Sequence, residues 1–343
     1  MKSDPQKGKT RARGRKTAHV NDYIHPLDYY FQLFIRAKET EGLRPKSILG
    51  YRNSYKYFQK WLLQQYPKLS VSEFAADHIR QYILYMQHER PRFTEHPRLR
   101  LKYQTDIGLA AKTISVRTNF MKALFTFMYR EGHIQTDIGS LVKVVKSKDD
   151  TVEAFTKEEM MLLLTAPNKE EYTGFRDYVL MFFLFDTGMR INETLLMKIS
   201  NIDFIHRIIH IPAEDAKNGK PRSVPFTKKT KELLQQLIEE NETMFGKQAE
   251  SVFLSNYGEP LSQNQAYCRI REHGEQVGLK HKRVSPHIFR HTFSKMYILN
   301  GGDLFTLQKI LGHSDLSMVR KYVQMNPDDL RKQHDTNSPM SQF

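Results

Sequence analysis

Residues 285–291 read Ser-Pro-His-Ile-Phe-Arg-His, and residues 186–193 read Asp-Thr-Gly-Met-Arg-Ile-Asn-Glu. Both stretches are helix boundaries that carry cations. Ser285 suits an N-cap and Pro286 the first helical position, so a helix opens there. His287 and Arg290 then lie three residues apart on one face, near a helix N-terminus that itself attracts anions. Gly188 ends an earlier helix and puts Arg190 at the start of the next. Leu311-Gly-His313 closes a later helix at Gly312, and Tyr322 follows nine residues after His313. Taken singly, each is weak: an Arg beside a turn is ordinarily a surface ion-pair residue, and a Tyr in a late helix is ordinarily a core edge.

Working outward, the second half alternates helical periodicity with one strand pair. Thr156 followed by Glu159 is a capping box. Helices are expected over 156–166, 172–187, 227–244, 262–277, 285–299, 303–311 and 315–324. Residues 206–212 and 221–226 are expected to be short strands. The run Asp215-Ala-Lys-Asn-Gly-Lys220 lies between them, and its Asn218-Gly219 is a hairpin turn signal.

The first half reads as all helix, over 25–40, 46–65, 76–89, 111–131 and a short piece at 136–144. In 46–65, Ile48, Tyr51, Tyr55, Phe58 and Leu62 mark one core face. Arg52, Lys56 and Lys60 are spaced by four and form a second, cationic stripe, which can lie against phosphates or simply be a solvated face. Ile114, Met121, Leu124, Phe125 and Met128 make the stripe of 111–131, and Gly132 stops it. Arg90, Arg92, Arg98, Arg100 and Lys102 form a further basic cluster, broken by Pro91 and Pro97 into a loop. The expected organisation is a basic flexible arm (1–20), a helical domain (21–145), a linker (146–155), a second domain (156–325) and a loose polar C-terminal tail (326–343).

Composition narrows the function. The 343 residues carry a net charge of +15, which points first to nucleic acid and then to acidic membrane. No segment, however, pairs a cationic face with an apolar face free of fold duties, which a membrane-surface helix needs. The arm holds +6 of the total, so the folded part is basic as well. One cysteine, Cys268, excludes an intrachain disulfide and a cysteine-built zinc site, and fits a reducing cytoplasm. No apolar run is long enough to span a bilayer. His287 and His291 are four apart, but the intervening Arg290 and the missing Glu argue against a metal pair.

Taken together, the order Arg, hairpin Lys, His-x-x-Arg, Leu-Gly-His, Tyr resembles the tyrosine recombinase (phage integrase) family, in the compact form of Xer-like and transposon-encoded site-specific recombinases. The resemblance covers most of the chain. It rests on the Thr-Gly-Met-Arg-x-x-Glu box, the Gly-Lys-x-Arg-x-Val-Pro strand and the 23-residue step from Arg290 to His313. Pro45-Lys-Ser-Ile-Leu-Gly-Tyr51 and Lys112-Thr-Ile … Gly-His-Ile134 fit the family's core-binding domain. Asn192 stands where Ser or Gly is often found, and the step from Arg190 to the hairpin lysine is slightly long. Lys220 is therefore a rival to Lys217, which is preferred because it precedes the Asn-Gly turn. The resemblance implies a mainly α fold with a small β-hairpin or sheet in the catalytic domain, behind a helical core-binding domain. It also implies a homotetramer working through a Holliday junction on double-stranded DNA.

The residue set makes chemical sense without the family. A phosphodiester in its trigonal-bipyramidal transition state gains negative charge on its nonbridging oxygens, which the forks of Arg190 and Arg290 can bond bidentately. His287 and His313 can add hydrogen bonds, and one can take the nucleophile's proton. Tyr322 supplies the oxygen nucleophile for a covalent phosphotyrosine. A phenol of pKa about 10 needs a strongly cationic site to ionise. Lys217 can protonate the leaving 5′-oxygen. Glu193 is placed to hold Arg190 or another supporting group, or is a plain helix residue. The chemistry calls for neither metal nor nucleotide cofactor. Arg52, Lys56, Lys60, Arg98 and Arg100 are the candidate DNA contacts. A type IB topoisomerase or a telomere resolvase would use the same chemistry. A non-catalytic DNA-binding protein would lack one or more of the six site residues.

Overall fold

The computed structural model describes residues 25–92, 106–145, 153–246, 249–312, 327–338 and 340. The chain divides into two compact units, Met1–Asp149 and Asp150–Phe343. The N-terminal arm, residues 146–152 of the linker and the helix expected over 315–324 lie outside the described residues.

The first unit contains helices α1 (Leu27–Thr40), α2 (Pro45–Gln65), α3 (Ala76–His88) and α4 (Ala111–Arg130). Apolar periodicity decides their faces. Ile48, Tyr55, Phe58 and Leu62 of α2 are buried, as are Ile114, Met121, Leu124, Phe125 and Met128 of α4. Aromatic rings hold the helices together: Phe31 of α1 stacks on Tyr55 of α2 at 3.8 Å between centroids. Residues 136–144, where a short helix is expected, form turns instead. Lys122 Nζ donates to the carbonyls of Gly139 and Val142 at 2.7 and 2.5 Å. Asp137 accepts from Thr126 Oγ1 and from the Ser140 N–H. Side chains thus take backbone groups that a helix would pair internally.

The second unit contains α5 (Lys157–Thr165), α6 (Tyr172–Thr187), the short α7 (Ile191–Leu195), α8 (Lys228–Phe245), α9 (Gln263–Gln276), α10 (Pro286–Leu299), α11 (Leu304–Leu311) and α12 (Pro327–Asn337). Helix α6 is apolar on most sides and runs through the core: Val179, Leu180, Phe183 and Leu184 are each exposed by 1% or less. Helices α8 and α10 pack against it. The Thr156 capping box is formed, with the Glu159 N–H on Thr156 Oγ1 and the Thr156 N–H on Glu159 Oε2. The Phe155 N–H donates to Thr292 Oγ1 at 2.9 Å and pins this entry strand of chain to α10.

The sheet is antiparallel in the order β1 (Ile202–Asp203), β2 (Ile208–Ile211), β3 (Arg222–Pro225). Ile209 pairs with Val224 and Ile211 with Arg222, so Ile209, Ile211 and Val224 face the core. Both strands are shorter than expected, and β1 is additional. His206 and Arg207 belong to a turn: the Asp203 carboxylate accepts the N–H groups of Ile205 and His206, and Arg207 has φ +57°.

Residues 327–337, expected within a loose tail, form α12. Pro327 at its start, Asp328 in the first turn and His334 in the last suit a helix and its dipole. Among the described residues no helix is long and apolar enough to cross a membrane.

Candidate active site

The site forms where α6 gives way to α7 and where α11 ends. Gly188 caps α6 in the left-handed region, φ +60°, and a Cβ there would lie 2.2 Å from the Phe293 ring. Only glycine serves. The Gly188 carbonyl accepts a 2.8 Å bond from Arg290 Nη1. Two residues on, Arg190 occupies the N-cap position of α7.

Three successive carbonyls at the end of α11 receive side chains from four parts of the chain. Ile310 O accepts from Arg222 Nε at 3.0 Å. Leu311 O accepts from Arg290 Nη2 at 2.8 Å and from Arg190 Nη1 at 3.3 Å. Gly312 O accepts from Asn218 Nδ2 at 3.2 Å. A helix leaves its last carbonyls without intrahelical partners, and its C-terminus carries negative partial charge. Guanidiniums answer both needs. Gly312 turns the chain at φ +63° to present these groups.

Glu193 lies beneath this cluster with its side chain 1% exposed. Its Oε1 accepts from Arg190 Nη1 at 3.0 Å and from Arg222 Nη1 at 3.1 Å. Its Oε2 accepts from Arg222 Nη2 at 2.5 Å and from the Arg190 N–H at 3.2 Å. Burial pushes the carboxyl up, but the bonds and charge of Arg222, with Arg190, outweigh burial and hold it below its ordinary value.

His287 sits in the first turn of α10, where Ser285 holds the N-cap position and Pro286 opens the helix. Ser285 makes no side-chain capping bond; its carbonyl accepts the Ile288 N–H. His287 is exposed whereas Arg290, expected on the same face, is 1% exposed. The 60° offset of an i,i+3 pair, with α10 packed on α6, is enough to separate them. Partial desolvation of the imidazole, then the charges of Arg283, Arg290, Lys217 and Arg190, push its pKa down.

Lys217 follows Ala216, which is fully buried and anchors the loop between β2 and β3. Lys217 and Lys220 are both exposed, on either side of Asn218-Gly219, with Gly219 at φ +68°. Lys217 is among the cations acting on His287. His313 and Tyr322 lie outside the described residues. Among the described residues no group of three His, Cys, Asp or Glu side chains is placed to hold a metal ion.

Sequence reasoning missed Arg222 and the α11 carbonyls. Arg222 had a signal, its place in Gly219-Lys-Pro-Arg-Ser-Val-Pro225, but a strand arginine carries no mark of its partner. In the first unit, Arg52, Lys56 and Lys60 are exposed on α2, and Arg52 pairs with Glu39 at 3.2 Å. Arg98 and Arg100 lie outside the described residues. Arg90, read as a loop cation, is instead 8% exposed and lies over the Tyr57 ring at 4.3 Å, with Arg117 at 4.0 Å from the same ring.

The model of the phage integrase family matches residues 153–328, which include every part of this site. Among curated proteins, the tyrosine recombinase XerD of Staphylococcus aureus is 26% identical over 316 residues, 91% of this chain and 99% of the relative. XerD of Staphylococcus saprophyticus is 27% identical over 241 residues, 70% of this chain and 80% of the relative. Among solved structures, the Tn1549 transposon integrase in complex with transposon right end DNA shares the fold at TM-score 0.67 and 17% identity, covering 90% of this chain and 98% of that one. A lambda integrase tetramer bound to a Holliday junction does so at TM-score 0.66 and 18% identity, covering 87% of this chain and 77% of that one.

Proposed function

The chain belongs to the phage integrase family, and from that premise we propose how its site works. The enzyme is a tyrosine recombinase, which breaks and rejoins DNA strands at specific sites through a 3′-phosphotyrosine. The observation that carries the residue assignment is the convergence of Arg190 and Arg290 on Leu311 O, the charges of both also acting on His287.

In this reading the scissile phosphate is bound by Arg190 and Arg290, whose forks are held by neutral carbonyls and by Glu193. Tyr322 Oη attacks phosphorus and the bond to the 5′-oxygen breaks. His287, kept neutral by partial burial and then by the cations near it, takes the phenolic proton. Lys217 gives a proton to the leaving 5′-oxygen. His313 donates a hydrogen bond to the phosphoryl oxygens as their charge grows. The phosphotyrosine retains the energy of the broken diester, so a 5′-hydroxyl from a second duplex can displace the tyrosine. Neither metal nor nucleotide takes part in these steps. Arg52, Lys56 and Lys60 on α2, with Arg98 and Arg100, contact the DNA backbone in the first domain (21–145), and residues 156–325 form the catalytic domain. Exchange between two duplexes requires four cleavages, so the working form is a homotetramer on DNA. The +15 net charge supports a nucleic-acid partner, and the single cysteine is compatible with a reducing cytoplasm. The likeness to XerD over 99% of that relative supports an Xer-like or mobile-element recombinase.

The test is trapping on a nicked suicide-substrate library, in EDTA and without ATP, followed by sequencing of the covalently held DNA. The wild type is expected to capture one family of related sites and Tyr322→Phe none while still binding DNA. An adduct formed by Tyr322→Phe, or a strict requirement for divalent metal, would overturn the mechanism.

A further inference from the structure

Arg222 shares Glu193 with Arg190 and bonds the carbonyl next to the one Arg190 uses. It is the first residue of β3, on the inward face with Val224, and its side chain is 7% exposed. Its Nη1 and Nη2 clasp both oxygens of Glu193 at 3.1 and 2.5 Å, and its Nε donates to Ile310 O at 3.0 Å. Arg190 bonds the same Glu193 Oε1 and the next carbonyl along, that of Leu311.

A carboxylate beside a phosphate-binding arginine works against binding unless its own charge is met. With Arg190 as its only cation, Glu193 would close an ion pair around that guanidinium, compete with the incoming phosphate and raise negative potential in the pocket. Arg222 supplies the second charge and the second fork. Two guanidiniums on one buried carboxylate leave a net positive charge, and the geometry places the surplus on Arg190, whose side chain is 21% exposed against 7% for Arg222. Through Ile310 O, Arg222 also fixes the turn of α11 that presents Leu311 O.

We propose that Arg222 is a positioning residue for the cleavage reaction: it neutralises Glu193 and fixes the end of α11, so that Arg190 is left aligned and charged for the phosphate. The inference rests on the reading of Arg190 as a phosphate-binding residue and adds to it a part for a residue that touches no substrate.

The experiment is single-turnover cleavage of a nicked duplex by the full chain, comparing wild type, Arg222→Lys, Arg190→Ala and the double variant, with DNA affinity and thermal stability measured alongside. Arg222→Lys is expected to lose about 10–100-fold in rate, as misplacement of a catalytic fork does, with DNA affinity unchanged. In the Arg190→Ala background it should cost no more than about 2–3-fold, because the residue it serves is gone. Equal losses in both backgrounds would mark Arg222 as merely structural and overturn the inference. Normal cleavage by Arg190→Ala would instead overturn the underlying reading of the site. Should Arg222→Lys fold poorly, Arg222→Met and Arg222→Met/Glu193→Gln keep the question open to measurement. Removing both charges of a buried pair is tolerated better than removing one, and the double variant should regain at least 5-fold in rate over Arg222→Met. Absence of that rescue in folded protein counts against the inference.

Discussion

Arg190 and Arg290 donate to one oxygen, the carbonyl of Leu311, from 3.3 and 2.8 Å. Two guanidiniums repel, and a phosphate is what ordinarily brings them together. Here a peptide carbonyl at the negative end of a helix does so in advance. The holding group is neutral, so it aligns both forks without cancelling their charge, which is the condition for electrostatic preorganisation.

The position of Leu311 O depends on Gly312. At φ +63°, a Cβ on this residue would lie 2.7 Å from Arg222 Cδ. Gly312→Ala is therefore expected to destabilise the protein by about 1–2 kcal/mol from the left-handed backbone alone, and to move Arg222 as well. Cleavage per folded molecule should fall at least 10-fold while DNA affinity holds. Stability by denaturant titration and single-turnover cleavage check the two parts, and unchanged cleavage would detach the α11 turn from the chemistry.

A buried ion cluster elsewhere in the second unit sets a stability prediction. Asp177 accepts from Arg176 at 3.0 and 2.7 Å, from Arg269 at 2.7 Å and from His273 at 3.0 Å. Burial raises its pKa, but the bonds from His273, Arg176 and Arg269 outweigh burial and leave it lowered. The sign follows: its contribution is present above the ordinary value of 3.8 and is lost as pH falls through the lower folded value. Asp177→Ala should cost on the order of 3–5 kcal/mol, because Arg176 is left buried without its partner. Denaturant unfolding at neutral pH measures this, and a loss under 1 kcal/mol would mean that the arginines find other acceptors.

Periodicity was enough for the long elements. The stripes of α2 and α4 predict helices whose expected core residues are buried, save Tyr51, which is half-buried. Gly188 and Pro286 mark the boundaries that set out Arg190 and His287. What local pattern does not carry is partnership across the chain. Nothing near Arg222 says that its carboxylate lies 29 residues back, at Glu193. Nothing near Arg290 says that its fork ends on carbonyls of Gly188 and Leu311. Strand β1 is too short to show alternation, and the turns at 136–144 depend on Lys122, which comes from another element.

Partial burial of His287 and the cations that act on it also predict a proton linkage. Its lowered pKa means that the free protein keeps it neutral at pH values where an ordinary histidine, near 6.5, is partly charged. In the folding equilibrium this costs stability progressively as pH falls below the unfolded value, since the unfolded chain binds the proton more readily. A bound phosphate offsets part of the cationic field and so moves the pKa up. DNA binding near pH 6 should therefore take up protons, and His287→Gln should reduce that uptake. Calorimetry in buffers of differing ionisation enthalpy reads the number directly, and identical uptake by wild type and variant would remove His287 from the phosphate's surroundings.

Lys217 and Lys220 divide on the leaving group. Both are exposed and flank the Asn218-Gly219 turn, which is tied to the end of α11 through Asn218 Nδ2 on Gly312 O. Lys217 rises next to the buried Ala216 and stands near enough to add to the field on His287, so it is the one expected to reach the 5′-oxygen. An alkoxide leaves poorly without a proton, whereas a thiolate leaves unaided. Lys217→Ala should cleave an ordinary nicked substrate at least 100-fold more slowly, the range expected for loss of a general acid. It should return to within about 10-fold of wild type when sulfur replaces the bridging 5′-oxygen. Lys220→Ala should behave alike on oxygen and sulfur. The two variants are to be run side by side on both substrates. Rescue confined to Lys220→Ala would carry the acid across the turn, and rescue of neither would leave the hairpin lysines as DNA contacts alone.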